Sequence, residues 1–133
     1  MTHVAAALPP IVIPAPDAER LVLLAHAAAH QNPATADYLL REIERASVVD
    51  RAESLPDLVT MGCEVEFRDD ITGQDRWVTL VYPQDADVTT GKVSVLSPIG
   101  AALIGLSVGQ SIEFQTPSGG WRSLTVLRVR PKV

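Results

Sequence analysis

Apolar residues recur at helical spacing in two segments near the N-terminus. The first segment runs from Asp17 to His30, and its apolar stripe consists of Leu21, Leu24, Ala25 and Ala28. The second runs from about Thr35 to Ala46, and Asn32-Pro33 between the two is expected to end the first helix. Helices joined by so short a turn lie antiparallel. The pattern therefore predicts a short antiparallel helical hairpin.

The apolar period changes from helical to two after a predicted linker at Ser54–Asp57. The next strand is predicted from apolar residues that alternate with charged ones, as in a half-buried antiparallel strand: Cys63, Val65 and Phe67. Asp69–Gln74 has the composition of a hairpin turn, and Asp75–Tyr82 is the predicted return strand. The residues expected on one face of that strand are Trp77, Thr79 and Val81.

The longest uncharged stretch runs from Val93 to Ile112. About twenty apolar residues can cross a bilayer, but proline, glycines and serines interrupt this stretch, so separate short elements are predicted. We expect a strand, a corner at Ser97-Pro98, a helical turn at Ala101–Ile104 and a left-handed cap at Gly105. A further turn leads into a strand at Ser111–Thr116.

The remaining segments complete a fold of the α+β class. Ile11–Ile13, between prolines, predicts an edge strand. Trp121–Val129 predicts the last strand, and the residues expected on one face of it are Leu124, Val126 and Arg128. The predicted units are the helical hairpin with its leading segment in residues 1–52, and antiparallel strands with one short helix in residues 53–133.

Composition and charge exclude several function classes. The formal net charge is −5 and the basic residues are not clustered, so direct nucleic-acid binding is not expected. Cys63 is the only cysteine, which predicts a buried structural thiol and fits a cytoplasmic protein. The first sixteen residues lack Lys and Arg and contain prolines, unlike a secretion signal. No membrane association is expected.

No catalytic or metal-binding motif is complete. His26 and His30 lie one helical turn apart and could share a metal, but no third ligand is apparent, so no metal or other cofactor is expected. All three histidines precede residue 31, and neither a G-x-S-x-G elbow nor a nucleotide-binding glycine loop occurs. The sequence therefore predicts a protein that is not an enzyme.

The Ser97-Pro98 corner is the main candidate site. The hydroxyl of Ser97 can cap the helix that follows it. A proline-stiffened, exposed loop beside an apolar helix is also suitable for docking a partner. The two roles can coexist.

The block from Lys92 to Phe114 resembles the C-terminal domain of the Gre transcript-cleavage factors. The resemblance rests on the order of strand, Ser97-Pro98, small-residue helix and the Leu106-x-x-Gly109-Gln110-x-Ile112 pattern. Four further segments are similar to the Rnk family, named as regulators of nucleoside diphosphate kinase: Asp17–Arg20, Asp57–Met61, Val65–Arg68 and Thr79–Pro83. This resemblance implies an FKBP-like half-barrel behind the helical hairpin.

The resemblance also implies a partner. In Gre-type factors the Ser-Pro corner docks on the coiled coil that rims the secondary channel of RNA polymerase. The residues that this assigns to polymerase binding are Leu96, Ser97, Pro98 and Ile99. The expected function is a transcription regulator that competes with Gre factors for this site.

The hairpin tip departs from the Gre pattern. Gre factors carry acidic residues at the tip of a long hairpin, where they complete a Mg²⁺ site inside the polymerase. The tip residues here are His30, Gln31, Asn32 and Pro33, followed on the second helix by Asp37. Asp37 has no acidic neighbour and the hairpin is short, so stimulation of transcript cleavage is not expected.

Two other functions remain open. The family name implies regulation of nucleoside diphosphate kinase through a protein partner. An FKBP-type isomerase or chaperone would need an aromatic pocket, whereas the aromatic residues here are mostly expected to pack in the core: Phe67, Trp77, Tyr82, Phe114 and Trp121.

Overall fold

The computed structural model describes residues 7–50, 55–116 and 118–132. Ser54 of the predicted linker lies outside these residues. Helices α1–α3 and strands β1–β7 follow one another in the order β1 Val12–Pro14, α1 Ala15–Ala28, α2 Pro33–Arg45, β2 Ser47–Val49, β3 Glu64–Asp69, β4 Asp75–Val81, β5 Lys92–Ser94, α3 Pro98–Leu103, β6 Ser111–Gln115 and β7 Trp121–Arg130. Two 3-10 turns, Pro83–Asp85 and Val88–Thr90, lie between β4 and β5.

The antiparallel helical hairpin is present, but both helices begin earlier than expected. Asn32 is the N-cap residue of α2 and Pro33 is its first residue, so this pair starts the second helix instead of ending the first. Proline suits a first turn because that position needs no N–H donor and its fixed φ is already helical. For the same reason α1 accommodates Pro16 in its first turn.

A short parallel sheet joins the two ends of the hairpin. The edge strand predicted at Ile11–Ile13 is present as β1, one residue later, and it pairs with β2, a strand that the sequence pattern did not reveal. The amide of Ser47 donates to the carbonyl of Ile11 at 2.9 Å. Because Ile11 and Ile13 are also fully buried, this sheet fixes the base of the hairpin.

The main sheet has five strands in the order β5-β4-β3-β7-β6 and curls into a half-barrel around α3. The expectation of an antiparallel sheet holds for all pairs except β4 and β5, which are parallel. The segment with the two 3-10 turns carries the chain back along the sheet before β5 begins. A crossover of this kind is what makes parallel pairing possible.

Trp77, Thr79 and Val81 share one face of β4 as predicted, but the expected packing of Trp77 in the core is wrong. On β4 the buried residues are Val78 and Leu80, whereas Trp77 is 36% exposed and stacks on the guanidinium of Arg130 at 4.4 Å. The apolar and β-branched residues of β4 occur on both faces, so the alternation did not identify the buried one. Trp121 is similarly 37% exposed, so neither tryptophan packs in the core.

The other difference lies on β7. Its register against β3 shifts between Glu66 and Phe67. The shift places Arg128 opposite Glu66, where the two side chains pair at 3.5 Å with Arg128 mostly exposed. Val129 packs on the core instead of Arg128. A bulge of this kind reverses which residues of a strand face the core.

One hydrophobic core joins the hairpin to the half-barrel. At its centre α3 contributes three fully buried residues: Ala101, Ala102 and Leu103. The amide of Val12 donates to the carbonyl of Gly105 at 3.0 Å, and Gly105 has the predicted left-handed φ of +82°. Cys63 is fully buried as expected, and this burial raises the pKa of its thiol. In the described part of the chain, every helix is too short or too polar to span a bilayer.

Candidate docking corner and inner groove

The corner between β5 and α3 is held by two serines. The hydroxyl of Ser97 accepts from the amide of Gly100 at 3.0 Å and donates to the carbonyl of Ser94 at 2.7 Å. The hydroxyl of Ser94 accepts from the amide of Leu96 at 3.0 Å. The predicted cap is therefore confirmed, and it satisfies one of the amides that a helix N-terminus leaves free.

Gly100 permits this corner to close. A Cβ atom at Gly100 would lie 2.0 Å from the carbonyl oxygen of Ser94 and 2.9 Å from the Cα of Val95. Both atoms belong to the backbone, so no side-chain rotation could relieve the overlap. The first turn of α3 can pack directly on the end of β5 only because residue 100 lacks a side chain.

The candidate docking residues lie together at this corner, but they are less exposed than expected. Leu96, Ser97, Pro98 and Ile99 are all half-buried. Leu96 and Ile99 pack against the core. Pro98 and Ile99 turn their accessible surface towards a depression on the inner face of the half-barrel.

This depression, which we call the inner groove, has an apolar floor. Next to the corner it has a volume of about 310 Å³, lined by Val93, Pro98, Ile99, Phe114 and Arg122 among others. It continues past Ile99, Phe114 and Arg122 into a second depression of about 180 Å³, which also contacts Phe67, Asp69 and Arg76. The groove therefore runs across the inner face from the corner to the β3–β4 turn.

A separate depression, which we call the α2 cleft, lies between the helical hairpin and the half-barrel. Its volume is about 320 Å³, and its walls include Thr35, Tyr38 and Arg41 of α2. Pro98 and Phe114 line both the cleft and the inner groove. The first half of α2 thus lies beside the corner, although none of the named tip residues lines the cleft.

One ion pair is built into the wall of the inner groove. The carboxylate of Asp69 accepts from the amides of Ile71 and Thr72 at 2.9 and 3.2 Å and from the guanidinium of Arg122. Burial of this carboxyl acts to raise its pKa, but these hydrogen bonds and the Arg122 charge outweigh burial and lower it. Asp69 thereby orders the β3–β4 turn and positions Arg122.

The hairpin tip is polar and exposed. His30, Gln31, Asn32 and Pro33 all lie on the surface. Asp37 is 67% exposed and pairs with Arg41 at 3.2 Å. Among residues 7–50, 55–116 and 118–132, no three potential ligands are close enough together to hold a metal ion.

Sequence reasoning missed the groove and its arginines. Arg41, Arg76 and Arg122 come from α2, β4 and β7, so their proximity depends on the tertiary fold. A signal did exist for Arg122, because it stands two residues before Leu124 on the face of β7 that points inward. A charged residue at an inward position of a strand is a candidate for a site.

Two family models match separate parts of the chain. Residues 9–49 match the model described as the Rnk N-terminus. Residues 53–131 match the model of the C-terminal part of the transcription elongation factors GreA and GreB. The chain belongs to the Rnk family.

Relatives support this placement over most of the chain. The regulator of nucleoside diphosphate kinase of Escherichia coli K12 is 40% identical over 121 residues, which are 91% of this chain and 89% of that protein. A solved structure from Nitrosomonas europaea, titled a prokaryotic transcription elongation factor GreA/GreB, is 40% identical with a TM-score of 0.71. The match covers 92% of this Rnk-family chain and 99% of that structure.

Relatives named GreA match a smaller share of the chain. GreA of Chelativorans is 42% identical over 88 residues, and the match spans 66% of this chain but 55% of that protein. The likeness thus covers about half of a GreA chain. The descriptions of the matching relative and family model are those of a regulator and of transcription elongation factors.

Proposed function

We propose that this Rnk-family chain is a transcription regulator that binds RNA polymerase at the rim of its secondary channel. The contact would be made by Leu96, Ser97, Pro98 and Ile99. One observation carries this proposal. The hydrogen bonds of Ser94 and Ser97 and the close contact of Gly100 hold the corner rigid, while Pro98 and Ile99 stay accessible. A preorganised surface loses little entropy when it binds.

The two units would have different roles. Residues 53–133 would hold the polymerase, and the hairpin within residues 1–52 would lie over the channel mouth. Its tip carries Asp37 as a single acid, with the positive charge of Arg41 beside it. Since protein sites bind Mg²⁺ mainly through carboxylates, a tip with a single acid is poorly suited to complete a metal site. Competition with Gre factors without cleavage stimulation follows, as does a cytoplasmic location.

Titration against core RNA polymerase tests the proposal, with a Gre factor as competitor. We expect saturable binding that the Gre factor displaces. Pro98→Ala should weaken binding by about tenfold, because a corner residue of a small interface contributes on the order of 1.4 kcal/mol. Val88→Ala is the control, since Val88 is 95% exposed and lines neither the inner groove nor the α2 cleft.

The corner variant must keep the fold for this comparison to count. Pro98 is preferable to Ser97, because a Ser97 variant would lose the helix cap as well as the contact. Binding by Pro98→Ala equal to wild type would refute the docking assignment. Binding that a Gre factor cannot displace would show a different site on the polymerase.

A second candidate function rests on the relative named a regulator of nucleoside diphosphate kinase. Regulation of that enzyme would require a direct or indirect protein contact. Saturable binding to purified nucleoside diphosphate kinase, with no binding to polymerase, would favour this alternative. Binding to polymerase alone would leave the kinase link as an indirect effect on expression.

A further inference from the structure

The inner groove and the α2 cleft are basic on a protein that is acidic overall. The chain has a formal net charge of −5. The charged residues that line the two depressions are nevertheless three arginines and one acid: Arg41, Arg76, Arg122 and Asp69. This local reversal of charge points to an anionic occupant, because interfaces pair surfaces of opposite potential.

Two of these arginines can engage a new partner at little cost. The guanidinium of Arg76 lies 5.9 Å from the ring centre of Phe67, and Arg76 has no ion-pair partner among the described residues. Arg41 pairs with Asp37, but both side chains are 67% exposed. Such an exposed pair contributes only a few tenths of a kcal/mol and exchanges readily.

Arg122 and the apolar floor of the inner groove indicate the remaining chemical features of the occupant. Arg122 forms an ion pair with Asp69, so its main role is to line the groove. Between the arginines, Pro98, Ile99 and Phe114 form an apolar floor. A floor of this kind takes an apolar side chain, whereas charge at both ends takes carboxylates.

We propose that the inner groove and the α2 cleft bind an acidic segment of a protein partner. One apolar side chain of that segment contacts Ile99 and Phe114, and flanking carboxylates face Arg41 and Arg76. This inference rests on the proposed docking function and extends it, because the segment belongs to the polymerase surface that meets the corner. Nucleic acid is the less suitable anion here, since the net charge of the protein repels a long phosphate backbone.

Charge reversal tests the inference on the full chain. Arg41→Glu and Arg76→Glu should each weaken binding to core RNA polymerase by about tenfold and make it less sensitive to salt. Arg128→Glu is the matched control, because Arg128 carries the same charge on the outer face and its side chain is 74% exposed. The control should stay within about twofold of wild type. Equal affinities for all three variants would overturn the inference while leaving the docking proposal standing.

A second measurement does not depend on the polymerase. A short peptide of alternating glutamate and leucine is titrated into the labelled protein and followed by amide chemical shifts. We expect shifts at Ile99 and Phe114 with this peptide and not with its lysine–leucine counterpart. Equal shifts with both peptides, no shifts, or shifts produced only by single-stranded RNA would each overturn the inference. If the wild-type protein fails to bind polymerase, the docking proposal fails and this titration alone decides.

Discussion

The helical hairpin and the half-barrel bury their residues in different ways. The hairpin core is dominated by small residues, with three larger ones: Leu21, Leu39 and Ile43. The half-barrel core is made of branched and aromatic residues such as Val65, Phe67 and Leu80. Since burial stabilises roughly in proportion to apolar area, each buried residue of the hairpin contributes less. The hairpin therefore depends on its attachment to the half-barrel.

Hydrogen bonds reinforce that attachment at one end of the hairpin, in addition to the packing of α2 on α3. At the base, the side-chain amide of Gln110 in the half-barrel donates to the carbonyl of Pro10 at 2.9 Å. Within the N-terminal unit, Arg45 donates to the carbonyl of Pro9 and so holds the same leading segment on α2. At the other end, the tip from His30 to Pro33 is exposed. Stability should consequently decrease from base to tip, which leaves the tip free for contacts while the corner stays fixed.

The largest effect is expected from Gly100→Ala, which breaks the corner that belongs to the half-barrel. The new Cβ would lie 2.0 Å from the Ser94 carbonyl oxygen, and overlap with backbone costs about 3 kcal/mol or more. Chemical denaturation measures the loss. Gly120→Ala is the control, because its Cβ would lie at an ordinary contact distance of 3.5 Å from Thr116 Oγ1. Similar stabilities for both variants would mean that the corner is not closely packed.

The next effect separates the two regions directly. Leu21→Ala in α1 and Leu80→Ala in β4 each remove a fully buried side chain, at a cost of about 3 kcal/mol in global stability. Hydrogen exchange distinguishes their consequences. In the Leu21 variant, amides of α1 and α2 should exchange faster while those of β3 and β7 stay protected. In the Leu80 variant, protection should fall in both regions. Uniform loss in both variants would show that the hairpin and the half-barrel unfold as one unit.

The base of the hairpin gives a third, smaller effect. Glu42 is 3% exposed although it is charged, and Arg45 binds its carboxylate at 2.7 and 3.0 Å. Arg45→Met leaves that carboxylate without its partner and also removes the bond to Pro9. We expect a loss of about 2 kcal/mol, below the value for a fully buried pair because Arg45 is partly exposed.

A double variant identifies the cause of that loss. Glu42→Gln combined with Arg45→Met removes the buried charge together with its partner, so part of the stability should return. Thermal unfolding of the two single variants and the double variant provides the cycle. Strict additivity of the single effects would mean that the two side chains act independently.

Local patterns were sufficient for much of the fold. The hairpin, the strand with Val65 and Phe67, the Ser97 cap and the left-handed Gly105 all depend on residues close in sequence, and all are present. The pairing of β2 with β1, the parallel β5 and the burial of Val129 in place of Arg128 depend on which segments meet. No local period contains that information.

The candidate site likewise has one part that local sequence predicts and another that depends on the tertiary fold. The corner is a continuous run of four residues, so its position could be predicted. The inner groove combines residues from β3, β4, β7 and α3, and the α2 cleft adds the hairpin. The basic character of the inner groove and the α2 cleft appears only when these elements are assembled, because their arginines are scattered along the sequence.

The smallest effect concerns the turn of the half-barrel that Asp69 orders, and it has a pH dependence. The folded pKa of Asp69 is lowered from 3.8. Its contribution is therefore full above about pH 3.8 and is lost as the pH falls through the lower, folded value. Asp69→Asn keeps the shape but loses the charge facing Arg122, so it should cost about 1 kcal/mol at neutral pH. In chemical denaturation at neutral and acid pH, the difference in unfolding free energy between variant and wild type should decrease at acid pH. A difference in unfolding free energy that does not change with pH would mean that the negative charge of Asp69 does not contribute to stability. In contrast to the half-barrel turn, Asp37→Asn in the hairpin should cost only a few tenths of a kcal/mol at neutral pH, because Asp37 and Arg41 are both 67% exposed.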